Sequence, residues 1–202
     1  MQKPLKHFLL CLSIVVAFSD VGRAGLVLHF DPIDADITLG ESVDIDVVLT
    51  QTDPATPVDL TANGLMIADV QLLLDSPAAA VTAIQFGTGF EDSTFSDLSD
   101  PSMPLLSAQS IDLSGVLAPA GSPTSITIGT FTFTGIAEGT TIASTTDTGF
   151  QELIFDGINA DFDNQIFGSE TATIRVVAVP EPSSLTLLAM AAIGFGCRRR
   201  KR

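Results

Sequence analysis

Residues 42–50, SVDIDVVLT, show most clearly which kind of fold this chain adopts. Apolar residues occupy every second position, and two aspartates stand between them. Because successive side chains of a β-strand point to opposite faces, this alternation predicts a strand with one buried and one solvated face. The apolar set is Val43, Ile45, Val47 and Leu49, and the aspartates are Asp44 and Asp46.

Four further segments carry strand patterns. Residues 64–75, GLMIADVQLLLD, repeat the alternation, and residues 81–86, 125–135 and 171–177 are rich in β-branched residues and Phe, which favour strands. Turn sequences that contain Gly or Pro separate these runs. We therefore predict that residues 25–178 form one all-β domain, an antiparallel β-sandwich. The buried side chains should include Ile45, Val47, Leu72 and Phe133.

Two local features refine this prediction. In SITIGTFTF the apolar phase changes across Gly129, from Ile126 and Ile128 to Phe131 and Phe133, which predicts a bulge or bend. Residues 87–104, GTGFEDSTFSDLSDPSMP, have no alternation and several acidic residues, so we expect a long acidic surface loop.

The charge of the domain is strongly negative. Residues 25–178 contain 22 acidic residues and one basic residue, Arg175, for a net charge of −21. Such a surface repels nucleic acid and anionic lipid, and it attracts cations or basic partners. The acidic surface either serves solubility alone or supports a role that depends on calcium.

Two acidic segments are candidate calcium sites. Calcium takes about six to eight oxygen ligands, often from acidic loops. The residues FDGINADFDN offer Asp156, Asp161 and Asp163, with Asn159 and Asn164 beside them, and FDPIDAD offers Asp31, Asp34 and Asp36. The spacing is not that of an EF-hand, because a Gly follows Asp156 directly. Asp and Asn are also favoured in turns, so both interpretations stay open.

Side chains suited to catalysis are scarce. Within residues 25–178 there is one histidine, His29, and there is no Cys, Lys, Tyr or Trp. A Ser-His-Asp triad would have to use His29, and no G-x-S-x-G stretch supplies a nucleophile. We therefore expect no enzyme, no catalytic residue and no certain cofactor. The alternative is a carbohydrate-binding or carbohydrate-active module, which the absence of Trp and Tyr disfavours.

The N-terminal residues 1–24 have the pattern of a signal peptide. Lys3 and Lys6 precede an apolar run over residues 8–18, and Gly22-Arg23-Ala24 places small residues where signal peptidase needs them. We expect cleavage after Ala24 and export through the inner membrane.

Residues 179–202, VPEPSSLTLLAMAAIGFGCRRRKR, have three parts in order. The triplet Pro180-Glu181-Pro182 is followed by the uncharged run 185–197 and by the basic cluster 198–202. The run has 13 residues, and a membrane span needs roughly 20. It therefore predicts a marginal transmembrane helix that inserts transiently, with the basic cluster on the cytoplasmic side.

This order resembles the PEP-CTERM sorting signal of Gram-negative bacteria. The resemblance implies recognition by a membrane-bound exosortase, removal of the helix and basic tail near Pro180-Glu181-Pro182, and delivery to the cell surface or extracellular matrix. The mature protein would then meet an unknown extracellular protein or polysaccharide.

The domain is similar to cohesins, which are jelly-roll sandwiches. The resemblance rests on LVLHFDPIDADITLGESVDIDVVL, on GLMIADVQLLLD, and on ITIGTFTFTGIAEGTTI, a strand that ends in a short hairpin. It implies a protein-binding module. No dockerin-contact motif can be placed on these residues, so the resemblance does not extend to a dockerin partner.

Overall fold

A computed structural model describes residues 25–52, 58–120, 124–146, 153–156 and 171–178. All regular secondary structure in these ranges is β-structure. The strands are β1 (Leu26–Asp31), β2 (Asp34–Thr38), β3 (Ser42–Gln51), β4 (Leu65–Leu74), β5 (Ala79–Phe86), β6 (Phe90–Asp92), β7 (Leu105–Ser110), β8 (Thr124–Gly135), β9 (Gly139–Thr146), β10 (Leu153–Phe155) and β11 (Thr171–Val177).

The strands form two sheets. The smaller sheet has the order β1-β3-β8-β5, and all its pairs are antiparallel. The larger sheet has the order β2-β11-β9-β4-β7-β6. β9 pairs with the C-terminal part of β4, and β10 pairs with the N-terminal part of β4, which β9 does not reach. The pairs of this sheet are antiparallel except for β2 and β11, which run parallel.

The core lies between the inner faces of the two sheets, as the alternation predicts. Ile45, Val47 and Leu72 have no exposed surface, and Phe133 is 1% exposed. Asp44 is exposed and Asp46 is half-buried on the opposite face of β3. The predicted β-sandwich and its predicted core residues are confirmed.

The predicted irregularity at Gly129 is a β-bulge. Val47 pairs with Gly129 while Val48 pairs with Thr127, so Ile128 is the extra residue on β8. A side chain at Gly129 would lie 2.6 Å from the backbone oxygen of Gln85 and 2.6 Å from Cδ1 of Leu106. Since Leu106 belongs to β7 in the other sheet, glycine here permits close packing between the sheets.

The predicted hairpin after β8 is wrong. β9 pairs with β4 and β11 in the larger sheet, so the segment 136–138 crosses from one sheet to the other. The physical reason is that β3 and β5 already occupy both edges of β8, which leaves no edge for β9.

The predicted surface loop over residues 87–104 is only partly a loop. Phe90 is 5% exposed and begins β6, which pairs with β7. A further bridge joins Asp97 to Leu105. Burial of Phe90 ties this end of the segment to the core, while its acidic side chains remain exposed as predicted.

Candidate functional site

The last described strand leads directly to the predicted sorting triplet. β11 lies between β2 and β9, and its inward side chains are buried. It ends at Val177, and Ala178 is exposed. Pro180, Glu181 and Pro182 lie outside the described residues, but the chain reaches them three residues after an interior strand ends.

The calcium candidates of the second acidic segment are described only in part. Asp156 is exposed, and its backbone N–H donates a hydrogen bond to the carbonyl of Gly64 at 2.8 Å. Asp161 and Asp163 lie outside the described residues, as do Asn159 and Asn164. The predicted site therefore stays a prediction.

The first acidic segment forms an ion pair. Asp36 accepts a hydrogen bond from Arg175 at 2.7 Å, across the parallel pairing of β2 with β11. Both side chains are more than half exposed, and such pairs contribute little to stability. In the part of the chain that the structure describes, no three His, Cys, Asp or Glu side chains gather as metal ligands would.

The outer face of the smaller sheet carries a row of paired carboxylates and hydroxyls. Thr130 donates to Asp46 at 2.6 Å, and Thr132 donates to Asp44 at 2.7 Å. Next along the same strands, the hydroxyls of Ser42 and Thr134 are 2.7 Å apart. The alternation of Thr in residues 130–134 and the polar residues of 42–46 place these hydroxyls and carboxylates on outward faces. Which hydroxyl meets which carboxylate depends on the register between β3 and β8, which the sequence of one strand does not give.

The outer face of the larger sheet holds a more enclosed carboxylate. Ser107 is 1% exposed and donates to Oδ1 of Asp69 at 2.5 Å. The hydroxyl of Ser93 lies 2.5 Å from that of Ser107, and the backbone N–H of Ser107 donates to Ser96 at 3.0 Å. Burial raises the pKa of Asp69, and the Ser107 hydrogen bond opposes this rise. Sequence reasoning missed this network because its members come from three separate segments.

The same outer face exposes an apolar pair. Leu73 of β4 is 46% exposed and Ile142 of β9 is 39% exposed. Leu73 pairs with Ser144, two residues from Ile142, so the two side chains stand on neighbouring strands. Such a pair offers apolar contact area within a polar face.

The predicted transmembrane helix falls outside the described residues and stays a prediction. None of the described residues belongs to a helix that is long and apolar enough to cross a membrane. The apolar run 185–197 lies outside those residues.

Several solved cohesin structures are similar to this domain. The seventh ScaB type I cohesin from Pseudobacteroides cellulosolvens is 14% identical, with a TM-score of 0.47 over 78% of this chain and 94% of that one. The third cohesin of ScaC from Acetivibrio cellulolyticus, solved with the ScaB dockerin, is 15% identical, with a TM-score of 0.49 over 76% and 99%. A type II cohesin from the cellulosome of the same organism is 13% identical, with a TM-score of 0.42 over 73% and 94%. At these identities the likeness concerns the fold alone.

The C-terminal segment matches a known sorting motif. No curated protein matches the chain. Residues 178–201 match the family model of the PEP-CTERM protein-sorting motif, within one residue of the predicted segment at each end. The chain therefore carries a PEP-CTERM sorting motif directly after the last described strand of an all-β sandwich.

Proposed function

We propose that this chain is the precursor of an exported protein that an exosortase sorts to the cell surface or extracellular matrix of a Gram-negative bacterium, where residues 25–178 act as a non-enzymatic interaction module. The observation that carries the proposal is the sorting motif at residues 178–201. The signal-peptide pattern of residues 1–24 supports it, because export must precede sorting.

The order of events follows from the physical properties of the two ends. Signal peptidase removes residues 1–24, and the run 185–197 holds the precursor in the inner membrane while the basic cluster stays in the cytoplasm. The run has 13 residues, so it is a marginal membrane anchor, and the basic cluster at its end supports retention until cleavage. Cleavage near Pro180-Glu181-Pro182 removes no residue of β11 and releases a folded domain.

The proposed interaction role draws on the outer face of the larger sheet. Leu73 and Ile142 supply exposed apolar area, and the half-buried Asp69 and Gln71 supply polar groups around it. Apolar contacts within a polar rim are typical of surfaces that bind proteins. A protein partner that contacts this face should be lost from pull-downs when Leu73→Asp is introduced, whereas Leu117→Asp, at an equally exposed position elsewhere, should retain it.

A processing experiment tests the sorting part of the proposal. Replacing Pro180-Glu181-Pro182 with alanines should leave unprocessed precursor in the inner membrane, because the recognised triplet is gone while the apolar run remains. Intact-mass measurement of matrix-associated wild-type protein should show neither residues 1–24 nor the basic cluster. Detection of Arg198–Arg202 on that material would contradict the proposal.

The alternative is polysaccharide binding by the outer face of the smaller sheet. The observation that favours it is the row of carboxylates and hydroxyls formed by Asp44, Asp46, Thr130 and Thr132, which are groups that sugar hydroxyls bind. Retention of the processed protein on a column of the producing strain's polysaccharide, abolished by Asp44→Asn with Asp46→Asn, would favour this alternative.

A further inference from the structure

Three exposed apolar residues lie at the end of the sandwich from which the sorting motif leaves. Leu39 is 51% exposed, Ile136 is 52% exposed and Val177 is 40% exposed. We call these three residues the exit tip. They come from the β2–β3 turn, from the β8–β9 crossover and from the end of β11.

The backbone brings these distant segments together. Each member of the exit tip directly follows one residue of a packed group formed by Thr38, Gly135 and Val176. A side chain at Gly135 would lie 2.8 Å from the carbonyl oxygen of Thr38 and 2.9 Å from Cγ1 of Val176. The three segments of the exit tip therefore lie together at the point where the chain leaves the sandwich.

Chain length limits how far the sorting triplet can extend from the exit tip. Pro180 is three residues beyond Val177, and an extended chain spans at most about 3.6 Å per residue, so the separation is at most about 11 Å. A small folded domain is roughly 30 Å across. An enzyme that holds the triplet in its active site must therefore lie against this end of the sandwich.

We infer that the exit tip is a second recognition surface for the exosortase, which binds the apolar side chains of Leu39, Ile136 and Val177 while it holds the sorting triplet. This inference rests on the proposed function. It states that the enzyme recognises the folded end of its substrate in addition to a linear motif, so that folding of the sandwich promotes processing.

Charge favours the enzyme over the lipid surface as the occupant. Glu41 and Glu138 flank the exit tip and are exposed. Hydrogen bonds from the backbone N–H and hydroxyl of Thr38 hold the pKa of Glu41 below its ordinary value, so this carboxylate stays ionised. Residues 25–178 carry a net charge of −21, so anionic lipid at the membrane surface repels the domain.

The test measures the rate at which full-length precursor is processed in producing cells, by pulse-chase and intact mass. The tip variant carries Leu39→Ser, Ile136→Ser and Val177→Thr. The matched control carries Ile111→Ser, Leu113→Ser and Leu117→Ser, which are also exposed apolar residues. They lie at the opposite end, where Leu65 pairs with Val116. Loss of apolar anchors should slow processing about tenfold in the tip variant and leave the control unchanged.

The outcomes separate this inference from the proposed function. Wild-type processing of the tip variant, with the alanine replacement of the triplet still unprocessed, overturns the inference and leaves the proposed function intact. Processing of the alanine replacement overturns the proposed function. If purified precursor and exosortase in detergent micelles show no difference between the tip variant and wild type, lipid is the occupant and the inference is wrong.

An insertion provides a test that leaves the sandwich unchanged. About eight Gly and Ser residues placed between Val177 and Ala178, before the matched motif begins, would let the triplet bind without the exit tip nearby. We expect this insertion to slow processing as the tip variant does, and the tip substitutions to add nothing to it. A wild-type rate for the insertion would contradict the inference.

Discussion

The two sheets present the same chemical pair on their outer faces, but in different surroundings. Thr130 donates to Asp46 on the smaller sheet at 2.6 Å, and Ser107 donates to Asp69 on the larger sheet at 2.5 Å. The first pair lies on an open face, whereas Ser93 and its neighbours cover the second. The pKa of Asp69 is raised by that burial. A hydrogen bond between a carboxylate and a hydroxyl on neighbouring strands therefore does not fix the carboxylate's pKa by itself. The residues that cover the pair decide how much water the carboxylate loses, and this loss shifts the pKa.

The largest expected effects test whether the two sheets share one core. Leu72→Ala in the larger sheet should lower the free energy of unfolding by about 2–5 kcal/mol, and Phe133→Ala in the smaller sheet by about 3–5 kcal/mol, since each leaves a cavity. Asp46→Ala on the outer face should cost less, about 0.5–1.5 kcal/mol, because it removes only the hydrogen bond from Thr130. Urea unfolding of the three variants measures this, and equal effects of Leu72→Ala and Asp46→Ala would contradict the strand assignments.

A smaller effect is expected where the sheets touch at the bulge. Gly129→Ala should cost about 1–3 kcal/mol, because the new methyl group overpacks against Leu106 and the carbonyl of Gln85. Leu106→Ala removes one of these contacts, so the double variant should be more stable than the sum of the single effects predicts. Chemical denaturation gives all three values, and strict additivity would show that Leu106 does not limit the space at Gly129.

The half-buried carboxyl group of Asp69 should make the free energy of unfolding depend on pH. Because the folded-state pKa of Asp69 is raised, the native state binds this proton more readily than the unfolded chain does. Its contribution to stability therefore falls as pH rises from the ordinary value of 3.8 through the raised value. Asp69→Asn should remove this decline, which urea unfolding between acidic and neutral pH measures. The free energy of unfolding of the variant minus that of the wild type should therefore increase with pH, and a decrease would contradict the prediction.

Exposed carboxylates in turns should respond with the opposite sign. Hydrogen bonds from Ser99 hold the pKa of Asp97 below its ordinary value, and Ser102 does the same for Asp100. Their stabilisation is present above the ordinary pKa and is lost as pH falls through the lowered one. Asp97→Asn with Asp100→Asn should slightly lower the melting temperature at neutral pH and leave it unchanged in strong acid. The effect is small because water and salt screen exposed groups.

Calcium should have the smallest effect if the acidic residues are turns and solvated surface. Screening depends on ionic strength, so sodium and calcium at matched ionic strength should raise the melting temperature of the processed protein equally. A rise specific to calcium that disappears in Asp161→Asn with Asp163→Asn would instead show a bound ion.

Local patterns determine the strands and much of the core. The alternation in residues 42–50 and 64–75 places Ile45 and Leu72 in the core, and the change of phase at Gly129 marks the bulge. The sorting motif is equally visible, because its three parts are contiguous. The strands and their buried residues can be predicted from the sequence because successive side chains of a strand point to opposite faces, whatever the rest of the fold.

Pairing between distant strands depends on the assembled sandwich. β9 joins the larger sheet because both edges of β8 are occupied, and β2 runs parallel to β11 although their first paired residues, Asp34 and Thr173, are 139 positions apart. The Asp69–Ser107 pair and the exit tip arise in the same way, from residues that only strand order and register bring together. Which edges remain open is a property of the whole arrangement, so no local period of side chains encodes it.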